Sequence, residues 1–129
     1  MSRKEHFLPM KGTVFLNAIK NGSKKFEGRV HASKCQQLQK GDLLKLYDNR
    51  AKWGILCEIV SKDIYPDFRS MLEDKGILAL LPQLTEDAKR DSQEELMRKA
   101  LKIYHGFPGS NRVEKFGAVA IGVKWIKNI

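Results

Sequence analysis

Apolar residues recur at helical spacing over residues 13–21 and at every second position shortly afterwards, so the chain changes from helix to strand within a few residues. Val14, Phe15, Ala18 and Ile19 fall on one helical face. Asn21-Gly22 supplies the stop, since both residue types tolerate the left-handed backbone of a C-cap. From Lys25 onward the period is two. Phe26, Gly28 and Val30 alternate with Lys25, Glu27, Arg29 and His31, which predicts a strand with one buried face and with Glu27 and Arg29 together on the other. Upstream, residues 6–10 are short and apolar and predict an opening edge strand, where Pro9 is tolerated.

Residues 33–39 are polar and irregular, and Lys40-Gly41-Asp42 turns the chain into a strand over 43–47. A hairpin loop over 48–52 leads to a second strand over 53–60, rich in branched and aromatic residues. Tyr65-Pro66-Asp67 opens a short helix over 68–75, with Phe68, Met71 and Leu72 on one face and Gly76 as its stop. The apolar run 77–81 is expected to dock on the sheet. Ser92-Gln93-Glu94-Glu95 is a capping box, followed by Leu96, Met97, Ala100, Leu101 and Tyr104 at helical spacing and by Gly106. Residues 107–111 are turn formers, expected as a flexible flap, and 116–126 alternate around Val119, Ile121 and Val123 as a central closing strand. Neither an internal repeat nor a low-complexity segment is visible.

At 129 residues, the chain is expected to form a single domain spanning residues 1–129. The formal charge of +9 and pI near 9.7 make nucleic acid a natural partner, although scattered lysines also serve simply as hydrated surface. The imbalance is local: residues 1–60 carry 12 Lys or Arg against 5 acids, residues 61–129 carry 12 against 10. Lys20, Lys24, Lys25, Arg29 and Lys34 crowd the helix-to-strand hinge. Cys35 and Cys57 are far from any Cys-x-x-Cys or Cys/His metal pattern and read as free thiols in a reducing compartment, Cys57 buried in a strand. No metal, no cofactor and no membrane contact is expected; the opening Met1-Ser2-Arg3-Lys4-Glu5-His6 lacks a signal peptide's apolar core, and a cytoplasmic or nuclear protein is expected.

The chemistry concentrates in Gly22-Ser23-Lys24-Lys25-Phe26-Glu27-Gly28-Arg29. On open surface such a row is a solvated strand face, contributing roughly 0.2 to 1 kcal/mol per cross-strand pair. In a cleft it binds polar groups: Arg29 forks onto a phosphate or carbonyl, Glu27 orients it or accepts an amino or hydroxyl proton, and Lys24 with Lys25 adds charge. No Ser-His-Asp order, phosphate loop or dinucleotide motif competes, so Lys24 and Glu27 are the one plausible catalytic pair.

The octet reads Gly-x-Lys-x-x-Glu-x-Arg and resembles the signature of the ASCH family, named for activating signal cointegrator homology, with Gly22, Lys24, Glu27 and Arg29 in its four fixed positions. Phe15-x-x-x-Ile19, Lys40-x-Gly-Asp42, Ile103-Tyr104 and the strand Lys115-Phe-Gly-Ala-Val-x-Ile121 extend the resemblance from about residue 10 onward. It implies an α+β fold of the PUA-like kind, a small closed β-barrel flanked by helices, with a cleft beside the signature. It also implies RNA or nucleotide binding linked to RNA metabolism, translation or transcription coactivation. The nucleic-acid-binding candidates are then Gly22, Lys24, Lys25, Glu27, Arg29 and Tyr104, the last because the family carries a tyrosine there. One branch of this group hydrolyses N4-acetylcytidine, with a threonine at the place of Glu27, a lysine matching Lys24 and a glutamate whose place falls in the stretch 86–91, where this chain has Lys89 at the matching position among Glu86, Asp87 and Asp91. Here Glu27 offers no hydroxyl nucleophile and is expected, if anything, as general base for a water.

The expected partner is therefore RNA or a modified nucleoside. The alternatives are a metal-independent amidohydrolase or ribonuclease using Lys24 and Glu27, and a protein-interaction module in which the signature pins helix to barrel. His105, Tyr47, Trp53 and Trp125 are secondary candidates, the aromatics for stacking on bases.

Overall fold

The computed structural model describes residues 3–129. Strands β1 (Glu5–Pro9), β2 (Phe26–Val30), β3 (Leu43–Asp48), β4 (Trp53–Tyr65) and β5 (Ala118–Asn128) form one sheet in the order β1-β3-β4-β5-β2. β1 runs parallel to β3, and every other neighbour pair is antiparallel. The sheet is a half-barrel of the PUA-like kind. Its edges, β1 and β2, are not paired with each other, whereas the resemblance implied a closed barrel. α1 (Thr13–Asn21) connects β1 to β2, while α2 (Phe68–Lys75), α3 (Ile77–Leu80), α4 (Thr85–Arg90), α5 (Gln93–His105) and α6 (Val113–Phe116) lie between β4 and β5 in sequence.

β5 divides the interior in two. Val119, Ile121 and Val123 face a barrel core with Leu16, Leu44, Leu46 and Ile55, whereas Ala118 and Ala120 face a second core built from α2, α3 and α5. Residues 118–123 are buried on both faces, as a central strand demands. The alternation of branched and small residues has a physical reason. Branched side chains fill the barrel, and alanines let helices approach the other face closely.

β2 takes its orientation from β5. Glu27 pairs with Ile121 and Arg29 with Val119, so both charged side chains share the face that points into the barrel, while Gly28, opposite Ala120, meets the helices. The expectation of one buried face is therefore corrected: Glu27 is 6% exposed, and the strand is covered on both sides. Period two distinguishes the two faces of a strand but does not say whether water covers the polar one.

Several local readings agree with the structure. α2 spans the expected residues with the Asp67 side chain accepting from the Ser70 N–H at 2.8 Å, and Ser92 Oγ accepts from the Glu95 N–H at 3.2 Å to cap α5. Others differ. β4 continues to Tyr65 because Val60, an extra residue in the register, bends the strand and lets Ser61 to Tyr65 go on pairing with β5. Ser33–Gln37 forms a 3-10 turn rather than irregular chain, α4 was not foreseen, and β5 begins at Ala118 after α6. The expected flap is tied down: Ser110 Oγ donates to the His105 carbonyl at 2.8 Å, and Phe107 packs edge-on against Tyr104.

Gly28 permits the closest approach between sheet and helices. A Cβ at that position would meet the Tyr104 hydroxyl at 2.6 Å and Met71 Cε at 2.9 Å. Tyr104 is 2% exposed, and among the described residues its hydroxyl has no hydrogen-bond partner. Gly28→Ala is expected to cost about 1–3 kcal/mol through overpacking, read as a lower urea midpoint. Tyr104→Phe alone is expected to lie within about 0.5 kcal/mol of the native protein and, combined with Gly28→Ala, to recover part of the loss. Full additivity of the two changes would contradict this packing.

Candidate functional site

Gly22 ends α1 with φ 88°, a left-handed conformation that suits glycine, and its N–H donates to the Ile19 carbonyl at 3.2 Å. The hinge that follows is held on two sides. The Lys24 N–H donates to the Ala18 carbonyl at 3.0 Å, the Lys25 N–H to the Ala79 carbonyl at 2.9 Å, and the Val123 N–H to the Lys25 carbonyl at 3.2 Å. These bonds fix the direction of Lys24, which spacing alone left open. Its side chain is 2% exposed and runs inward.

Inside, Glu27 holds two cations. Lys24 Nζ lies 3.5 Å from Glu27 Oε1 and donates to the Leu80 carbonyl at 2.5 Å, with the Phe15 ring 5.5 Å away. Arg29 donates to Glu27 Oε2 from Nε at 3.1 Å and from Nη2 at 3.0 Å, and Nη2 also donates to the Pro9 carbonyl at 2.7 Å. Arg29 thereby links β2 to the end of β1, across the two edges that no ladder joins. Its side chain is 26% exposed, against 8% for Glu27 and 2% for Lys24, so Arg29 is the member of the cluster that reaches water.

Burial sets the protonation chemistry. Desolvation lowers the Lys24 pKa from the ordinary lysine range, and attraction to Glu27 offsets this only partly. For Glu27, burial works to raise the carboxyl, but Arg29 and Lys24 outweigh it and hold the group below the usual carboxylate range. Glu27 is thus ionised and Arg29 is its principal counter-ion. The Cys57 thiol, buried on the barrel side near this carboxylate, is pushed up to about 12 by burial first and by the Glu27 charge second.

The three signature charges therefore converge, but in the barrel wall rather than in an open hollow. An open concavity of about 260 Å³ does adjoin the hinge, lined by Lys20, Gly22, Lys24, Lys25, Lys124 and Trp125 among others; neither Glu27 nor Arg29 reaches it. Gly22 and Lys25 are exposed at its rim. Tyr104 is placed elsewhere, on the Gly28 side of β2, stacked on Phe68 at 5.0 Å. Its pKa is raised well above the ordinary tyrosine value, by burial first and by Glu27 second. His105 is exposed at the end of α5 against Phe68, Tyr47 is half-buried beside Phe7, and Trp53 packs on the barrel core.

The acidic stretch before α5 is occupied with its own helices. Glu86 pairs with Lys89 at 3.1 Å, while Asp87 and Asp91 hold Lys99 at 2.8 and 2.6 Å, joining α4 to α5. Sequence reasoning did not find Lys124 or the Pro9 and Leu80 carbonyls. Backbone acceptors carry no sequence signal, and the proximity of Lys20 to residues 124 and 125 follows from the tertiary packing of α1 against β5.

Glu27→Gln leaves two cations without their carboxylate and is expected to cost about 3–5 kcal/mol in urea unfolding. The pH dependence has a definite sign. A carboxyl whose folded pKa lies below its unfolded value of about 4.3 contributes stability above that pH and loses it as acid titrates the folded group. The native protein is therefore expected to lose more stability than Glu27→Gln between about pH 5 and pH 3. Parallel acid profiles would remove the buried pair from the account.

No curated protein matches the sequence. Among solved structures, the chain is similar to the hypothetical protein PH0355, at 26% identity over 97% of this chain and 100% of that one, with a TM-score of 0.73. It is also similar to protein PF0455 from Pyrococcus furiosus, at 25% identity over 97% and 98% with a TM-score of 0.68. The crystal structure of ASCH from Zymomonas mobilis shares the fold at 18% identity, over 99% of this chain and 74% of that one, with a TM-score of 0.58. With the ASCH domain profile matching residues 12–127, the half-barrel and its buried Gly-x-Lys-x-x-Glu-x-Arg cluster belong to a member of the ASCH domain family.

Proposed function

We propose that this protein binds RNA, or a modified nucleoside within it, at the mouth of the barrel where Arg29 emerges, in a role in RNA metabolism or transcription coactivation. The observation that carries the reading is the state of Arg29: its guanidinium is fixed from one side by Glu27 and the Pro9 carbonyl, in a side chain that is still 26% exposed. Nη1 makes no hydrogen bond among the described residues, which leaves two donors for a phosphate or base carbonyl. A pre-oriented fork binds at lower entropic cost than a free one. The net charge of +9 and membership of a family often associated with RNA point the same way.

Binding suits the geometry better than hydrolysis. Lys24 Nζ is engaged with the Leu80 carbonyl and Glu27 and sits in a 2% exposed side chain, so it does not present itself to a scissile bond. Glu27 has both oxygens turned to cations.

Arg29→Ala is expected to weaken binding to a single-stranded RNA by about 10- to 100-fold, the size of a lost charge-assisted hydrogen bond, whereas Arg98→Ala on the exposed side of α5 is expected to change it less than about 2-fold. Equal losses, measured by fluorescence anisotropy at one salt concentration, would remove Arg29 from the reading. Incubation with N4-acetylcytidine is expected to release no acetate; turnover abolished by Lys24→Ala would instead establish the hydrolase.

A further inference from the structure

Beside the signature lies a second feature that the Arg29 mouth does not use. The open concavity between the C-terminal end of α1 and the outer part of β5 is lined by Lys20, Lys25, Lys124 and Trp125, and no carboxylate lines it. Among the described residues none of these three lysines forms an ion pair, although Lys45, Lys75, Lys89 and Lys99 all do. Trp125 is 36% exposed, a large aromatic left at the surface. Its indole N–H donates to Asn128 Oδ1 at 3.1 Å, and Lys20 Nζ lies 5.5 Å from the ring centroid, so cation and aromatic surface are presented together. The adjacent Ile126 is an extra residue in the β4–β5 register, within the exposed part of the strand that begins at Lys124.

We propose that this concavity is a contact site for one nucleotide of a single-stranded RNA, its phosphates held by Lys20, Lys25 and Lys124 and its base stacked on Trp125. The proposal rests on the RNA-binding reading above and extends it to a second, independent contact. Lys124 stands opposite Glu58 in the β4–β5 ladder, but that carboxylate is paired with Arg3 at 3.0 Å. Three ammonium groups without an ion pair around one hollow favour an anion, and an aromatic among them favours a planar partner. Size decides between a free nucleotide and a strand. At about 260 Å³ and open to solvent, the hollow lies below the range that encloses a free small molecule, so it suits one unit of a chain that continues over the surface. Gly22 and Lys24 line it as well, so the strand passes beside the hinge of the signature.

The test uses the full chain and fluorescein-labelled decauridylate. Trp125→Ala is expected to weaken binding by about 5- to 100-fold, the range for loss of one base-stacking platform. The combined Lys20→Gln, Lys25→Gln, Lys124→Gln variant is expected to reduce the slope of log affinity against log salt by about 2, at about 0.7 per phosphate contact on a single strand. In a Trp53→Phe background, where Trp125 is the remaining indole, decauridylate is expected to quench its emission and uridine monophosphate to do so far more weakly. All these positions except Trp53 are exposed, so the variants are expected to melt close to the native temperature. Native-like affinity and salt slope in both variants, with decauridylate still bound by the native protein, would overturn this site and leave the Arg29 reading standing. Quenching by the mononucleotide as strong as by the decamer would overturn the strand. Absence of any RNA binding by the native protein would overturn both readings at once.

Discussion

A carboxylate placed in a hydrocarbon interior must be neutralised by protonation or by partners within reach, and Glu27 is neutralised by partners. Its place is dictated by the ladder: opposite Ile121, it has no direction to point except into the barrel. Lys24 and Arg29 then have to be where they are, one from the hinge before the strand and one two residues further along it. Each cation carries a desolvation cost of its own, which is met by a second acceptor, the Leu80 carbonyl for Lys24 and the Pro9 carbonyl for Arg29. Those two carbonyls belong to α3 and β1, so one buried charge ties together the helix layer, the signature strand and the opening strand.

The same arrangement divides the motif between an enclosed cation and a partly exposed one. The Lys24 side chain is almost fully buried and shared between protein acceptors, whereas the Arg29 side chain keeps about a quarter of its surface in water. A buried ion cluster is a poor source of net stability compared with an apolar replacement of equal shape, yet removing one member is costly. Retaining it makes physical sense where one of its charges is presented outward in a fixed pose. Positioning by a buried carboxylate is a way to hold a flexible side chain without covering it.

Much of this was legible in the sequence, and what was not has identifiable causes. The ends of α1 and α2 followed from Asn21-Gly22, Asp67 and Gly76, because caps and stops act over a few residues. The charged octet was legible as a unit. Its burial was not, since alternation in 25–31 says which residues share a face and nothing about what covers that face. Tyr104 fell on the apolar stripe of α5, and that stripe proved the better guide: the ring packs in the second core, away from the charges. The hollow at Lys20 and Trp125 joins residues about a hundred positions apart, brought together by the packing of α1 against β5. α4 and the extension of β4 past Val60 depend on tertiary contacts that local propensity does not encode.

The division of labour along β5 also bears on how this chain tolerates change in length. Branched residues on one side and alanines on the other mean that slipping the strand by a single position would drive valine and isoleucine into the space reserved for helix contacts and leave the barrel underfilled. It would also put a different residue opposite the Glu27 carboxylate. A change in length within the strand is therefore costly, whereas one in a connection leaves this register intact.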